Sequence, residues 1–263
     1  MLYLRMLKFS VCCLAILGAL NCKQAAAQAP DDRTVLGSNS ADASSWLAGV
    51  HAGYNWQQGT LVYGFESDLQ ATHLNSSMAG GLRYFAPSPP PPPDLASTLA
   101  SVDWYGTFRG RVGATVGSLL LYLTAGVAYG DVTLSSTFSA FGLSTNGQTR
   151  QLKAGPVAGA GFEYLLMPNV MLTFGYQFVD LGSINVASSV SGSSGCCTSI
   201  DLRQSANAHA QFHTAMLGLS WRFAPASSSP WAGGYGGIHG GGAWGNDASA
   251  VYTGSSRSTF IFN

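Results

Sequence analysis

From Asp103 to Gly130 the chain alternates apolar and polar positions with a period of two, which is the pattern of β-strands. Trp104, Phe108, Val112, Ala114 and Val116 share one parity; Asp103, Tyr105, Thr107, Arg109, Arg111 and Gly113 share the other. After a break at Gly117-Ser118 the alternation resumes, with Leu121, Leu123, Ala125, Val127 and Tyr129 opposing Tyr122, Thr124, Gly126, Ala128 and Gly130. Two such runs with so short a break predict an antiparallel hairpin. One face is wholly apolar with aromatics near its ends, and the other sets two arginines among glycines. A soluble sandwich turns the apolar face inward, whereas a membrane barrel turns it to lipid and fills its lumen with the polar face. This hairpin alone fits either.

The same period predicts further strands on both sides. Trp46–Trp56 places Trp46, Ala48, Val50, Ala52, Tyr54 and Trp56 on one face, and Leu61–Thr72 follows after a turn at Gln57–Thr60. Within the latter, Leu61, Tyr63, Phe65, Leu69 and Ala71 oppose Val62, Gly64, Glu66, Asp68, Gln70 and Thr72. Gln151–Leu166 turns at Met167–Asn169 into Val170–Leu181, and Ala208–Phe223 ends the series with Ala215, Leu217, Leu219, Trp221 and Phe223 in register. That makes seven strands. The segments His73–Ser101, Ser135–Arg150 and Gly182–Asn207 read as long loops. The first holds five consecutive prolines, Pro89–Pro93, which cannot donate to a ladder and so lie outside any sheet. Connections therefore alternate short and long. Short turns on one side and long loops on the other are the rhythm of a bacterial outer-membrane barrel, and a sandwich has no reason to keep it.

The chain's start and composition agree with export. Arg5 and Lys8 lead into the apolar run Phe9–Leu20 and the small residues Ala25-Ala26-Ala27, so residues 1–27 read as a secretory signal peptide. The run is too short to span a bilayer as a helix. Residues 28–45 form a polar, flexible leader, and residues 46–223 form the barrel strands. Only 9% of residues are charged and formal net charge is zero. That leaves no basic footprint for nucleic acid, and low charge with abundant glycine suits a wall that faces lipid. Outer-membrane lipid and, during insertion, a barrel-assembly machinery are the expected partners.

Candidate chemistry is sparse. The charges on the inward parity are Glu66, Asp68 and Glu163 against Arg109, Arg111 and Arg222, three of each sign. A small barrel is only wide enough inside for side chains, and buried charges persist only when paired. These six are predicted to form a salt-bridged luminal plug, with inward glycines making room. His51, His209 and His213 could in principle serve a Ser/His hydrolase, but no nucleophile motif accompanies them and ordinary strand histidines explain them. No enzymatic activity and no cofactor are expected. Cys196-Cys197 stand adjacent in a Ser/Gly-rich segment, without the spaced ligand pairs of a zinc site.

The blocks DWYGTFRGRVGATVGSLLLYLTAGVAYG, AGAGFEYLLMPNVMLTFGYQFVDLG and HTAMLGLSWRF resemble the immunogenic/opacity-type outer-membrane β-barrel proteins of alphaproteobacteria, within the small-barrel superfamily that includes OmpA-type domains. The resemblance runs from Trp46 to Phe223. It implies an all-β, eight-stranded antiparallel transmembrane β-barrel in the cell outer membrane, with surface-exposed loops and a structural or antigenic role. Porin activity, diffusion of small solutes, is the alternative the family brings, although eight strands leave no wide channel. Two departures stand out. Charged residues that the family often carries are replaced by Thr173 and Gly175, and Met216 stands where a basic residue is common. The family also opens with a W-x-G-x-Y strand, and none precedes Trp46. PWAGGYGGIHGGGAWGND, residues 230–247, looks like that opening strand placed after the usual last one. Residues 224–263 then comprise a linker, Ala224–Pro230, a closing strand, Trp231–Trp244, and a tail, which makes the barrel a circular permutant. The alternative for 224–263 is a truncated second copy that dangles.

Overall fold

The computed structural model describes residues 43–82, 94–140, 143–194, 198–223, 229–245 and 255–260. The expected signal peptide and leader up to residue 42, the proline run, Cys196-Cys197 and most of the expected 224–230 linker lie outside the described residues. Nine strands follow one another: β1 (Ala43–Gln58), β2 (Leu61–Leu82), β3 (Asp94–Val116), β4 (Leu119–Ala140), β5 (Leu143–Met167), β6 (Val170–Ser194), β7 (Thr198–Arg222), β8 (Gly233–Gly245) and β9 (Ser255–Phe260). Each of β1 to β7 pairs antiparallel with the next, and β8 pairs with β7 on one side and β1 on the other, so eight strands close into a ring. Closure leaves no sheet edge within the band where backbone groups would otherwise go unpaired.

Tight turns fix one end of the ring. Gly59 and Gly117 both take positive φ, 62° and 61°, in the two-residue connections of β1–β2 and β3–β4. A side chain is disfavoured there, and glycine is not.

The outer wall is apolar between two aromatic belts. Trp46, Trp104, Tyr129 and Trp244 lie toward one rim; Tyr54, Trp56, Tyr63, Trp221 and Phe223 lie toward the tight-turn rim. Trp46 and Trp56 sit on the same face of β1. Ten residues of strand tilted by the usual ~40° cover a height of about 26 Å, close to the apolar band of membrane barrels. Val50, Leu69, Phe108, Val112, Leu123, Val127, Leu217 and Ile238 fill the belt between them and are exposed.

The opposite end corrects the expected loops. His73–Ser101, Ser135–Arg150 and Gly182–Asn207 are mostly strand: β2–β3 stay paired to Leu82↔Asp94, β4–β5 to Ala140↔Leu143 and β6–β7 to Ser194↔Thr198. Strands of 22 to 25 residues are about twice what a bilayer crossing needs, so the hairpins continue beyond the belt. Their polarity is reversed there. Val132, Leu134, Ile184, Val186, Ala206 and Ala208 point inward and are buried, while Ser97, Thr137, Asn146, Gln148, Ser183 and Asn185 are exposed. Two strands change parity to achieve this. In β3 the register shifts between Val102 and Tyr105, so the inward set passes from odd to even numbers. In β6 it shifts between Asp180 and Ser183, around Gly182 with φ 77°. Bulges of this kind re-aim a strand without ending it. Loop-like Ser/Gly/Thr composition conceals these ribbons, because their outward faces are polar and several of their inward residues, such as Ala206 and Ala208, are small.

β9 lies in the stretch that the sequence pattern assigns to a tail. It pairs with Thr198–Arg203 on the edge of β7 beyond the last β8 partner, in the same direction as β8 and one residue out of its register.

Candidate functional site

The candidate site is the lumen. Among the described residues, the buried ionic side chains are the six expected on the inward parity, Glu66, Asp68, Arg109, Arg111, Glu163 and Arg222. Five of them meet. β2 and β3 are neighbours in a register that pairs Glu66 with Arg109 and Gly64 with Arg111. Cross-strand pairing therefore brings opposite charges together as a direct consequence of the hairpin. Arg109 Nη2 lies 2.5 Å from Glu66 Oε1 and 2.6 Å from Asp68 Oδ2. Arg111 reaches Glu66 Oε2 at 3.2 Å with Nη1 and Glu163 Oε1 at 2.9 Å with Nη2. Glu66 thus bridges both arginines, and Glu163 is drawn in from β5 across the lumen.

Uncharged groups complete the cage. Arg109 also donates to Thr107 Oγ1 at 2.9 Å and Thr124 Oγ1 at 3.3 Å. Arg111 stacks over the Tyr122 ring, 4.1 Å from its centroid. Tyr235 of β8 accepts from Arg111 Nη1 at 2.6 Å and donates to Glu66 Oε2 at 2.7 Å. Inward glycines give these side chains room: a Cβ on Gly161 would sit 2.4 Å from Tyr122 Oη, and one on Gly53 would sit 2.5 Å from Tyr235 Oη and 2.6 Å from the Phe65 carbonyl oxygen.

Arg222 is a correction. It stands at the tight-turn rim, away from the network. Its guanidinium donates to the Ser229 and Pro168 carbonyls, both at 3.0 Å, and to Asn169 Oδ1 at 3.2 Å. It therefore ties the β6 turn to the far end of the β7–β8 linker. Parity placed it inward correctly, but it is the last residue of its strand, too low to reach the carboxylates.

Apolar layers enclose the network on both sides. Toward the tight-turn rim, Val62, Leu120, Met171 and Trp231 pack together with the rings of Tyr122 and Tyr235. Trp231, expected to begin the closing strand, instead precedes it and is almost wholly buried, its backbone N–H donating to Gln57 Oε1 at 3.2 Å. Toward the other end, Tyr105, Phe212, Leu134 and Leu181 belong to a larger buried cluster. Thr173, Gly175 and Met216, the positions that depart from the family's charges, border a luminal cavity of about 30 Å³ together with His51, Asp68, Arg109 and His239. Such a space has room for a water molecule or two.

The three histidines considered together in the sequence do not come together. His209 faces outward beside Asp180, and His213 faces outward with Tyr176 Oη 2.7 Å from its Nδ1. His51 points into the lumen, where Nε2 is 2.7 Å from Ser220 Oγ and Nδ1 is 3.1 Å from His239 Nδ1. Ser220 is fully buried. Sequence reasoning missed Tyr235, His239 and Ser220. The signal existed for the first two: they lie four residues apart on the inward parity of an otherwise glycine-rich strand.

Comparison with known proteins follows the same outline. The family model described as outer membrane protein beta-barrel domain matches residues 12–223. The 31 kDa outer-membrane immunogenic protein of Brucella melitensis is 30% identical over 196 residues, covering 73% of this chain and 72% of that protein. The 22 kDa outer membrane protein of Rhizobium leguminosarum is 34% identical over 134 residues, 51% of this chain and 52% of that one. Among solved structures, Ail of Yersinia pestis covers 81% of this chain and 99% of its own, at 12% identity and a TM-score of 0.25. OprG of Pseudomonas aeruginosa covers 86% and 99%, at 11% identity and a TM-score of 0.27. With an eight-stranded ring, an apolar belt and a family match over most of its length, the chain belongs to the outer-membrane β-barrel domain family, among relatives named as outer-membrane immunogenic proteins of alphaproteobacteria.

Proposed function

We propose that this outer-membrane barrel is a structural, surface-displaying protein rather than an enzyme or a diffusion channel. The observation that carries this reading is the filled lumen among the described residues: a paired ionic layer between two apolar layers, bordered by a cavity of about 30 Å³. A solute would have to break desolvated ion pairs and displace Trp231 to pass. The buried Ser220 hydroxyl speaks against hydrolysis at the Ser–His contact. The β2–β3, β4–β5 and β6–β7 hairpins, polar on their outward faces, are the parts presented to the surroundings, with lipid as the partner of the belt. Export through residues 1–27 and insertion by an assembly machinery belong to the same reading. Reconstitution in planar bilayers tests it: brief, irregular conductance at most is expected, and a steady, large, open channel would return the porin alternative.

The same reading takes the barrel as a circular permutant. The family match ends at residue 223, just after β7, yet the ring is closed by β8, which lies beyond it. The β7–β8 linker would then be a periplasmic turn, with the β8 end at Gly245 and the start of β1 on the outer side. An epitope inserted after Gly245 should be reached by antibody on intact cells. Access only after the outer membrane is broken would overturn this orientation.

A further inference from the structure

The β6–β7 ribbon does not stay in the barrel wall. β5 and β6 are paired only up to Val157↔Val179, although β5 runs on against β4 to Leu143 and β6 runs on against β7 to Ser194. Beyond that point β6 crosses the inward face of β5. A Cβ on Gly155 would collide with the Asp180 carbonyl oxygen, and one on Gly147 would lie 3.1 Å from Val186 Cγ2 and 3.2 Å from Ser188 Cβ. Leu181 reaches past β5 altogether, its Cδ1 lying 3.2 Å from where a Cβ on Gly130 of β4 would stand. The ribbon therefore lies across the mouth opposite the tight turns. We propose that β6 and β7 beyond Asp180 form a lid that swings away as a paired ribbon and lets water into that half of the lumen while the barrel stays closed.

The lid has a narrow attachment. β6 loses β5 after Val179, and β7 loses β8 after His213, one rung away. At the same height the β6–β7 register shifts between Asp180 and Ser183, around Gly182 with φ 77°, whose N–H donates to Asp180 Oδ1 at 2.8 Å. A few residues at the end of an element that absorb a change of backbone angle are what a hinge requires. From Ser183↔His209 to Ser194↔Thr198 the ribbon's own ladder is unbroken, so it moves as one piece, and β9 on its β7 edge moves with it. The hinge stands next to the level shared by Phe178, His213 and Trp244, at the aromatic rim, so the lid swings in water and not in lipid.

The seat of the lid and the floor beneath it favour opposite states. Ile184, Val186 and Ala206 of the ribbon share a buried cluster with Val102, Val132 and Leu134 of the wall, which favours the dry, closed state. Beneath the seat, Gln70 Nε2, Asp68 Oδ1 and His239 Nε2 are buried with no partner among the described residues. Gln70 and His239 flank Gly49, where a Cβ would lie 2.7 Å from His239 Nε2 and 2.9 Å from Gln70 Cγ, and Asp68 and His239 border the luminal cavity. Polar groups left unpaired and dry cost free energy that water restores, so the floor favours the open state. The ion layer and the Trp231 layer lie below the floor, and opening hydrates one half of the lumen without making a channel.

Thiol labelling of the folded chain in lipid nanodiscs tests the lid, in a background carrying Cys196→Ser and Cys197→Ser. Val102→Cys places a reporter under the lid, and Ala208→Cys takes its place if that variant does not fold. Gly147→Cys with Ser188→Cys ties the lid down, because their Cβ positions are close to the span of about 3.5–4.5 Å that a disulfide needs. A water-soluble maleimide should label the reporter while the barrel keeps its heat-modifiable migration. Oxidising the tether should slow that labelling at least about tenfold, and Gly155→Ala, which presses on the Asp180 carbonyl, should speed it by about as much. Labelling that ignores the tether, or that appears only when the barrel unfolds, overturns the proposal, as does a folded barrel in which the tether cannot be oxidised. Conductance is not read, so the outcome is separate from that of the filled-lumen reading.

Discussion

Arg109→Ala tests the luminal network most directly. The substitution removes the 2.5 and 2.6 Å ion pairs to Glu66 and Asp68 and the bonds to Thr107 and Thr124. Glu66 keeps Arg111 and Tyr235. Asp68 loses its guanidinium partner while remaining buried. Removing one partner of a buried pair typically costs about 3–5 kcal/mol. There is also a ceiling. A stranded carboxylate can always take a proton, which for an ordinary aspartate at pH 7 costs about 4 kcal/mol, falling by about 1.4 kcal/mol for each pH unit toward 4. The expected loss is therefore about 3–4 kcal/mol at pH 7, shrinking as pH is lowered to 5. Asp68→Asn in the same chain should recover a large part of it by removing the stranded charge. The assay is the heat- or urea-induced change in gel migration of the folded barrel in lipid, with exposed Leu152→Ala as control. An Arg109→Ala barrel that unfolds like wild type, or whose defect ignores both pH and Asp68→Asn, would show that the network carries no stability.

Other substitutions probe the neighbouring layers. Tyr235→Phe keeps the ring but removes the hydroxyl between Arg111 and Glu66, and should lower stability by about 1.5–3 kcal/mol in the same unfolding assay. Trp231→Ala empties the apolar layer at the tight-turn rim and should cost about 3–5 kcal/mol; bilayer recordings should also show more frequent conductance. Gly53→Val drives a side chain against Tyr235 and the Phe65 carbonyl, and should destabilise by at least about 1–3 kcal/mol. A folded Gly53→Val barrel of wild-type stability would mean that the lumen is looser than the side chains imply.

The parts of this barrel that alternate strongly could be read from sequence, and the reason is the bilayer. Between the aromatic belts lipid demands apolar residues outward, so Phe108, Val112, Leu121 and Leu123 announce the strand and Arg109 and Arg111 announce its inner face. Beyond the belts that demand lapses. Water meets the outward Ser, Thr and Asn, and small inward residues such as Ala206 and Ala208 give little contrast, so β-ribbon reads as loop. The register shift near Asp103 hides the continuation further, because it reverses the parity on which the reading depends. Site residues follow a similar rule. Parity predicts which charges point inward, which was enough for Glu66, Asp68, Arg109, Arg111 and Glu163. It says nothing of height along the barrel, so it groups Arg222 with partners that the side chain does not reach. Height depends on how far each strand is staggered against its neighbours, and that stagger is a property of the closed ring. Tyr235 and His239 were hidden by composition: a strand rich in glycine carries a weak signal even where its few side chains matter.

That weak strand is also where closure can be tested. β8 pairs with β1 over thirteen residues and with β7 over ten. Deleting residues 231–263 would open both edges across the apolar belt, and each unpaired backbone group in lipid costs several kcal/mol. It would also remove the Tyr235 hydroxyl from the ion network and the Trp231 side chain from the lower apolar layer. Local propensity does not hold β8 in place, since glycines weaken strands. Its stability comes from two neighbours and a luminal hydrogen-bonding partner, all of them non-local in sequence. If that account holds, the position of the segment along the chain should matter little. A chain lacking residues 231–263 should give no heat-modifiable folded species. A chain in which residues 230–245 are moved ahead of residue 43, joined by a flexible loop, should fold again. This rearrangement restores the order expected of the family and so tests the permutation itself. Wild-type heat stability in the deleted chain would sink the closure argument. Failure of the rearranged chain, with the original order folding normally, would show that β8 depends on its short tether to Arg222 and Phe223 rather than on the gap it fills.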